Sequence, residues 1–304
     1  MPAPQQRAFP LWAFHPFRRA ALAVRYGAIA EWRLSHRRIH RLNEKPRAEF
    51  LYVSMASRSH WLLLRESLLS MHLSWDRVPE VAVVSDGSWT ESEFLDYFSF
   101  WESPIWTFAP DQITRPLLQS GDVELRELAH AHPLGLKLAA IVHLARTRRI
   151  LFADSDILWF ADPTEILAPL AHMDGPAALI ESGASFNREL AGRFCPELLN
   201  APSINTGCVW LGGELCSAGR FQQILQAALL DPTNEFNEQT IIAIAARTAG
   251  NSLPAEFCLV DFEDAFSVRR RKPWKDNFRA RHYVRFMRHQ FFRDALLRNH
   301  RFLG

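Results

Sequence analysis

Two aspartates one residue apart interrupt an apolar segment near the middle of the chain. Asp154 and Asp156 lie between the apolar residues 150–153 and 157–160. Burying an ionised carboxylate is costly unless the group is paired or binds a metal. Two carboxylates at a strand end suit Mg²⁺ or Mn²⁺, with phosphate oxygens completing the coordination shell. The alternative is a turn capped by aspartates before Asp162, and the tripeptide alone does not distinguish the two.

Other polar groups in the second half of the chain are candidates for the same site. Asn205-Thr206-Gly207 precedes an apolar strand, where glycine permits close approach to a ligand, although an ordinary turn has the same sequence. Asn237 is a candidate N-cap of an apolar helix, and the Glu238 and Gln239 that follow it could instead face a substrate. Glu181, after another apolar strand, is either a second candidate general base or a solvated loop acid.

The C-terminal segment interleaves basic and aromatic residues over 282–293. By itself this pattern is compatible with nucleic-acid contact. A bound diphosphate also requires cations, and the neutral imidazole of a residue such as His282 is a good ligand for Mn²⁺. The segment therefore has two interpretations until its neighbours in the fold are known.

The remaining sequence alternates short β-rich segments with helical ones. The predicted strands are 50–55, 81–85, 105–108, 148–156, 177–182 and 208–213, and the predicted helices are 61–71, 91–101, 134–145, 219–230 and 238–247. This alternation predicts an α/β fold with a mostly parallel central sheet and helices on both faces. Ligands bind such sheets at the carboxyl ends of the strands. Asp86 and Asp154 each lie where a predicted strand ends, so we expect both at one edge of the sheet.

The charge is divided unevenly along the 304 residues. Lys and Arg number 35 against 33 Asp and Glu, a net charge of +2, and 48% of the residues are apolar, which excludes a disordered or fibrous chain. Residues 1–47 carry ten basic and two acidic side chains, 269–304 carry twelve and two, and 48–268 carry thirteen and twenty-nine. Residues 48–304 contain no internal repeat and are predicted to form a single domain. Residues 1–47 are predicted to form a basic N-terminal arm, helical over 17–43.

The arm has two interpretations. It is either packed on the acidic body or attached peripherally to an anionic membrane, with Phe9, Trp12, Phe14 and Phe17 inserted at the interface. The longest segment without a charge or a histidine is shorter than the roughly 18 apolar residues that a transmembrane helix needs. The four cysteines form no C-x-x-C pair and are expected to be buried thiols, which favours a cytoplasmic setting, with possible peripheral contact at the inner face of a membrane.

The ordered set of motifs resembles the nucleotide-diphospho-sugar transferases of the GT-A fold, in particular bacterial glycosyltransferase-like proteins. The motifs follow one another in the order Glu66-Ser67-Leu68, Ser85-Asp86-Gly87-Ser88, Lys137-Leu138, Asp154-Ser155-Asp156, Asp162-Pro163, Asn205-Thr206-Gly207, Glu238-Gln239-Thr240 and His282-Tyr283-Val284. The resemblance covers about residues 50–295. Arg285 stands where similar proteins tend to have glycine after the last motif.

The resemblance implies a role for each matching residue. Asp154, Asp156 and His282 would bind Mn²⁺ or Mg²⁺. The donor, a nucleotide-sugar, would be bound by Ser54, Met55, Asp86, Lys137, Asp154, Ser155, Arg285 and Arg288. Asn205, Glu238 and Gln239 would lie near the transferred sugar and the acceptor, as candidate catalytic residues.

The implied activity is metal-dependent transfer of a sugar from a donor, UDP-linked by expectation, to an acceptor that is a glycan, a lipid or a small molecule. Glu238 would be the base of an inverting reaction, whereas Glu238 or Gln239 would face the anomeric carbon in a retaining one, and the sequence leaves both open. A non-catalytic nucleotide- or carbohydrate-binding protein of the same fold is the alternative. Nucleotidyl transfer is disfavoured because the loop after the first strand, residues 54–61, contains no glycine. No nucleic-acid partner is expected.

Overall fold

The computed structural model describes residues 16–101, 105–181, 186–200, 202–260, 277–284 and 287–299. The strands are β1 (Arg47–Ala56), β2 (Val78–Ser85), β3 (Ile105–Phe108), β4 (Ile150–Ala153), β5 (Ile157–Trp159), β6 (Ala177–Glu181), β7 (Ser203–Leu211), β8 (Cys258–Leu259) and β9 (Ala280–His282). The helices are α1 (Pro16–Ser35), α2 (Trp61–Ser74), α3 (Glu91–Tyr97), α4 (Pro110–Ser120), α5 (Val123–Ala131), α6 (Pro133–Ala145), α7 (Thr164–Leu170), α8 (Arg188–Phe194), α9 (Ala218–Ala228), α10 (Asn237–Ala249) and α11 (Arg288–Asn299).

The central sheet has six strands in the order β3-β2-β1-β4-β7-β6. Strands β1 to β4 are mutually parallel, and β7 runs antiparallel to both β4 and β6. Strands β1, β2 and β4 are apolar without alternation because helices cover both faces of the sheet. The predicted α/β fold with a mostly parallel sheet in a single domain is confirmed.

A second, three-stranded sheet in the order β5-β9-β8 lies beside the carboxyl edge of β4. Strand β9 is antiparallel to β5, with His282 paired to Ile157. This sheet was not predicted, since strands of two or three residues carry too little periodic signal. It brings the C-terminal segment back to the acidic residues that follow β4.

The helices form two layers around the central sheet. One face packs against α4, α5, α6, α8, α9 and α10, and the other against α2, α3, α7 and the small sheet. Helix α1 packs mainly against α11, and both contribute to a third apolar cluster with the start of α2. Within the described ranges, no helix is long and apolar enough to span a membrane.

Several predicted boundaries were wrong. Helix α1 ends at Ser35 rather than at residue 43, because Ser35 Oγ and His36 Nδ1 each lie 2.8 Å from the Trp32 carbonyl oxygen of the last turn. Helix α3 ends at Tyr97 rather than at residue 101, and an aromatic cluster that includes Phe98 follows it. Cys216 is only half-buried, whereas the other three cysteines are buried as predicted.

Two polar segments occupy positions that differ from their prediction. Strand β7 begins at Ser203, so Asn205-Thr206-Gly207 lies inside the strand and not in a turn before it. Helix α10 begins at Asn237, whose side chain does not cap it. Instead, Asn237 Nδ2 donates to the Asp231 carbonyl oxygen at 2.8 Å, and Asn237 Oδ1 accepts from Asn187 Nδ2 at 2.8 Å. These bonds connect the start of α10 to two neighbouring segments.

Candidate functional site

Three segments converge at the carboxyl edge of β4. The Asp154 amide donates to the Gly207 carbonyl oxygen at 2.8 Å, which joins the end of β4 to β7. The Tyr283 amide donates to the Asp156 carbonyl oxygen at 2.9 Å, which joins the same loop to the C-terminal segment. The fold therefore places both aspartates beside His282, which lies 126 positions after Asp156 in the chain.

Asp154, Asp156 and His282 form one cluster of donor atoms. His282 Nε2 lies 3.1 Å from Asp156 Oδ1 and 3.5 Å from Asp154 Oδ2. One ligand atom from each residue can be chosen so that all three lie within 4.8 Å of one another. Asp156 and His282 are buried, whereas the Asp154 side chain keeps 31% of its surface exposed. The cluster is thus open to solvent on the side of Asp154.

Asn205 determines which nitrogen of His282 faces the carboxylates. Asn205 Oδ1 accepts a hydrogen bond from the Gly207 amide at 2.7 Å, so this atom is an acceptor, and His282 Nδ1 lies 3.1 Å from it. Nδ1 therefore carries a proton that it donates to Asn205. Nε2, which points at Asp154 and Asp156, is the nitrogen available to a metal.

The buried charges shift two pKa values in opposite directions. Burial lowers the pKa of His282, but the hydrogen bond and charge of Asp156, together with the charge of Asp154, outweigh it and raise this pKa to about 8. Burial raises the pKa of Asp156, yet the bonds and charges of His282 and Arg288 lower it overall. The metal-free site is therefore held together by an imidazolium and two carboxylates.

Lys137, on α6, links the cluster to α10. Lys137 Nζ lies 3.1 Å from Asp154 Oδ1 and 3.4 Å from Glu238 Oε1, and it donates to the Thr206 carbonyl oxygen at 3.0 Å. Thr206 Oγ1 donates to Glu238 Oε2 at 3.0 Å. Lys137, Thr206 and Glu238 are all buried. They form a buried polar network next to Asp154, in which Glu238 Oε1 makes the ion pair with Lys137 but no hydrogen bond.

The pKa values of this network follow from burial and charge. Burial lowers the pKa of Lys137, but the carboxylates of Asp154 and Glu238 outweigh burial and raise it. Burial raises the pKa of Glu238, and the charge of Lys137 offsets only part of that shift. Two carboxylates therefore raise the pKa of the one ammonium group between them, whereas burial raises the pKa of Glu238 by more than that ammonium lowers it.

Arg288, at the start of α11, contacts Asp156, whereas Lys137 contacts Asp154. Arg288 Nε donates to Asp156 Oδ2 at 3.2 Å, and Arg288 Nη1 lies 2.9 Å from His60 Nε2. A guanidinium can only donate, so His60 Nε2 accepts this bond. Burial and the charge of Arg288 lower the pKa of His60. His60 was not predicted as a site residue. The sequence feature that could have identified it is its position in the loop after β1, because this loop lies at the carboxyl edge of the sheet.

Comparisons with known proteins agree with this architecture. No protein-family model and no curated protein sequence matches the chain. The structure is similar to mouse xyloside xylosyltransferase 1 in its apo form, with a TM-score of 0.50 and 12% identity over 77% of this chain and 97% of that one. It is also similar to the apo bifunctional glycosyltransferase WbbM, with a TM-score of 0.53 and 13% identity over 84% of this chain. That match spans 51% of WbbM, about half its length.

The fold is like that of the GT-A glycosyltransferases. At this identity the likeness concerns the fold alone.

The predicted donor-binding residues of the first two strands lie along the same edge. Ser54 and Met55 lie within β1, which continues to Ala56, and not in the turn after it. Ser54 is fully buried, and Met55 packs against the apolar core. Asp86 directly follows β2, where its Oδ1 accepts from the Ser88 amide at 3.0 Å. The prediction that Asp86 and Asp154 follow parallel strands at one edge is confirmed.

The other predicted site residues occupy more varied positions. Ser155 is buried between the two aspartates. Gln239 is half-buried in the first turn of α10, beside Glu238. Glu181 ends β6, paired with Ser203 of β7. Arg285 lies outside the described residues.

Proposed function

We propose that the protein is a metal-dependent glycosyltransferase whose donor is a nucleotide-diphospho-sugar, with UDP as the expected nucleotide. The observation that carries the proposal is the convergence of Asp154, Asp156 and His282 at the carboxyl edge of the sheet in a fold of this class. Ligands bind open α/β sheets at this edge. The acceptor of the proposed reaction is a hydroxyl-bearing glycan, lipid or small molecule.

The donor set fits a divalent cation. Two carboxylates and one imidazole suit Mn²⁺, and the carboxylates also suit Mg²⁺. The hydrogen bond from His282 Nδ1 to Asn205 is the outer contact that orients a metal-binding histidine. When bound, the cation supplies positive charge that stabilises the departing nucleoside diphosphate. In this proposal Asn205 acts as a positioning residue.

The cationic side chains around the Asp154–Asp156–His282 cluster have different proposed roles. The Arg288 side chain is 39% exposed and lies beside Asp156, where it can bind a diphosphate oxygen. Arg285 is proposed to act on the same group. Lys137 is buried and holds Asp154 in place through its 3.1 Å ion pair. Asp86, Ser54, Met55 and Ser155 remain proposed donor-binding residues.

The α10 residues are assigned to the sugar side of the site. Glu238 is buried, paired with Lys137 and bonded to Thr206, so its direct partners are groups of the protein itself. We therefore give Glu238 the role of positioning Lys137 and the start of α10. Gln239, which is half-buried, is the residue proposed to contact the transferred sugar.

A cytoplasmic setting is part of the proposal. It is supported by the four cysteines, none of which forms a disulfide.

Calorimetric titration of UDP with and without Mn²⁺ tests the proposal most directly. We expect binding that requires the metal and that the variant Asp156→Ala reduces at least tenfold. Asp111→Ala is the matched control, because Asp111 is an exposed carboxylate on α4. Metal-independent binding of UDP, or unchanged binding by Asp156→Ala, would remove the basis of the proposal. Donor hydrolysis across a panel of nucleotide-sugars with Mn²⁺ then identifies the sugar.

A further inference from the structure

Helix α1 has one buried face and one exposed face. Its buried residues Ala23, Gly27, Ala30 and Leu34 recur at helical spacing, and the helix packs mainly against α11. A Cβ atom at position 27 would lie 2.6 Å from the His289 carbonyl oxygen, so only glycine permits this approach. Small residues of α1 therefore pack closely against α11. The buried face covers less than half of the circumference of α1.

The opposite face of α1 combines large apolar and basic side chains. Leu22, Tyr26, Ile29 and Trp32 are 42%, 56%, 41% and 62% exposed. At the helical repeat of 100° per residue, these four lie within an arc of about 120°. Arg25 and Arg33 are also exposed and fall within the same arc. We call these six residues the outer face of α1.

We propose that the outer face of α1 docks on an anionic lipid bilayer. Helix α1 contains four arginines and one glutamate, and residues 1–47 carry ten basic against two acidic side chains. A helix with apolar and basic residues on one face lies in the membrane interface, where anionic lipids attract its charge. Tryptophan and tyrosine are enriched at the same depth.

The outer face adds to the side chains that are expected to enter the membrane. The sequence-based expectation placed insertion at Phe9, Trp12 and Phe14, which lie outside the described residues, and at Phe17. That expectation stays a prediction, and the described part of α1 presents an apolar and basic surface further along the helix. Charge complementarity selects a bilayer over a second copy of the chain, since two outer faces would oppose arginine to arginine.

The outer face lies one helix away from the candidate metal site. Gly27 is in contact with His289, and the adjacent Arg288 donates to Asp156. A bilayer bound to α1 would therefore lie on the side of the molecule where α11 begins. Docking of α1 on a bilayer does not depend on the proposed activity.

Co-sedimentation of the full chain with lipid vesicles tests this inference. Vesicles of phosphatidylcholine alone are compared with vesicles containing phosphatidylglycerol, at matched lipid concentrations. We expect binding to the anionic vesicles only. Ile29→Ser combined with Trp32→Ser should weaken it at least tenfold, and Arg25→Gln combined with Arg33→Gln about thirtyfold, since each basic residue near the surface contributes about 1 kcal/mol.

Matched controls separate this face from general surface effects. Trp106→Ser removes another tryptophan that is 52% exposed, and Arg115→Gln combined with Arg126→Gln removes two charges from other helices. These variants should bind like the original chain, with circular dichroism showing that every variant is folded. Equal binding to neutral vesicles, no binding by the original chain, or unchanged binding by the α1 variants would overturn the proposal. A dimer that Ile29→Ser with Trp32→Ser converts to monomer would overturn it in favour of a second copy.

Discussion

The imidazole of His282 packs directly against the backbone of Gly207. A Cβ atom at position 207 would overlap the Cε1 and Nδ1 atoms of the ring and lie 2.8 Å from Asn205 Oδ1. Glycine at this position therefore allows β7 and β9 to approach closely enough for Asn205 to orient the histidine. The N-x-G motif has a steric function that is separate from any contact with a ligand.

Gly207→Ala is expected to displace His282 and weaken Mn²⁺ binding at least tenfold. The new methyl group must move either the imidazole or the strand, and both changes separate Nε2 from the two carboxylates. Calorimetry with Mn²⁺ measures the effect. Gly219→Ala is the control, because nothing lies within 4 Å of the Cβ position there and the residue is in helix α9. Equal affinities of the two variants would contradict the steric role.

Asn205→Leu is expected to weaken Mn²⁺ binding by about 10-fold to 100-fold, the range found when the outer partner of a metal-binding histidine is removed. The leucine cannot accept the proton of His282 Nδ1 or bond the Gly207 amide. Asn205→Asp keeps an acceptor at the same place and should retain most of the affinity. If the aspartate variant binds Mn²⁺ as weakly as the leucine variant, Asn205 does not orient His282 by accepting the proton of Nδ1.

Mn²⁺ affinity is expected to depend on pH through His282. The pKa of about 8 means that His282 is protonated at pH 7 in the metal-free protein, so the metal must displace a proton. Affinity should rise about tenfold per pH unit between pH 6 and pH 8 and level off above pH 8. Calorimetry in buffers of different ionisation enthalpy should show the release of nearly one proton at pH 7. His282→Asn, which has no titrating group here, should bind weakly with little pH dependence.

The sequence predicted the parts of the site that depend on local order. Asp86 and Asp154 were placed at one edge because each directly follows an apolar strand, and strand ends meet at that edge in a parallel sheet. The basic and aromatic C-terminal pattern made His282 a candidate ligand, but only the resemblance placed it beside the aspartates, since β9 is a three-residue strand with no periodic pattern. Its approach to Asp156 depends on pairing with β5, which is a tertiary contact.

The sequence could not show which polar side chains form ion pairs or hydrogen bonds with one another. Lys137 and Glu238 were both predicted to face a ligand, but the structure places each within 4 Å of the other. His60 was missed because its partner, Arg288, is 228 residues away. Burial decides these pairings, since a charge removed from water must find a partner nearby, and burial becomes known only with the packed fold.

The pairing of Lys137 with two carboxylates predicts a large loss of stability in Lys137→Met. Methionine occupies a similar volume but leaves the buried Glu238 without its cation, and breaking a buried ion pair by removing one partner costs about 3–5 kcal/mol. Urea unfolding monitored by circular dichroism measures the free energy of unfolding. Lys137→Met combined with Glu238→Gln should recover part of the loss, because the neutral amide still accepts from Thr206 Oγ1 and carries no uncompensated charge. If the double variant is no more stable than Lys137→Met alone, the loss arises from packing around α6 and not from the orphaned carboxylate.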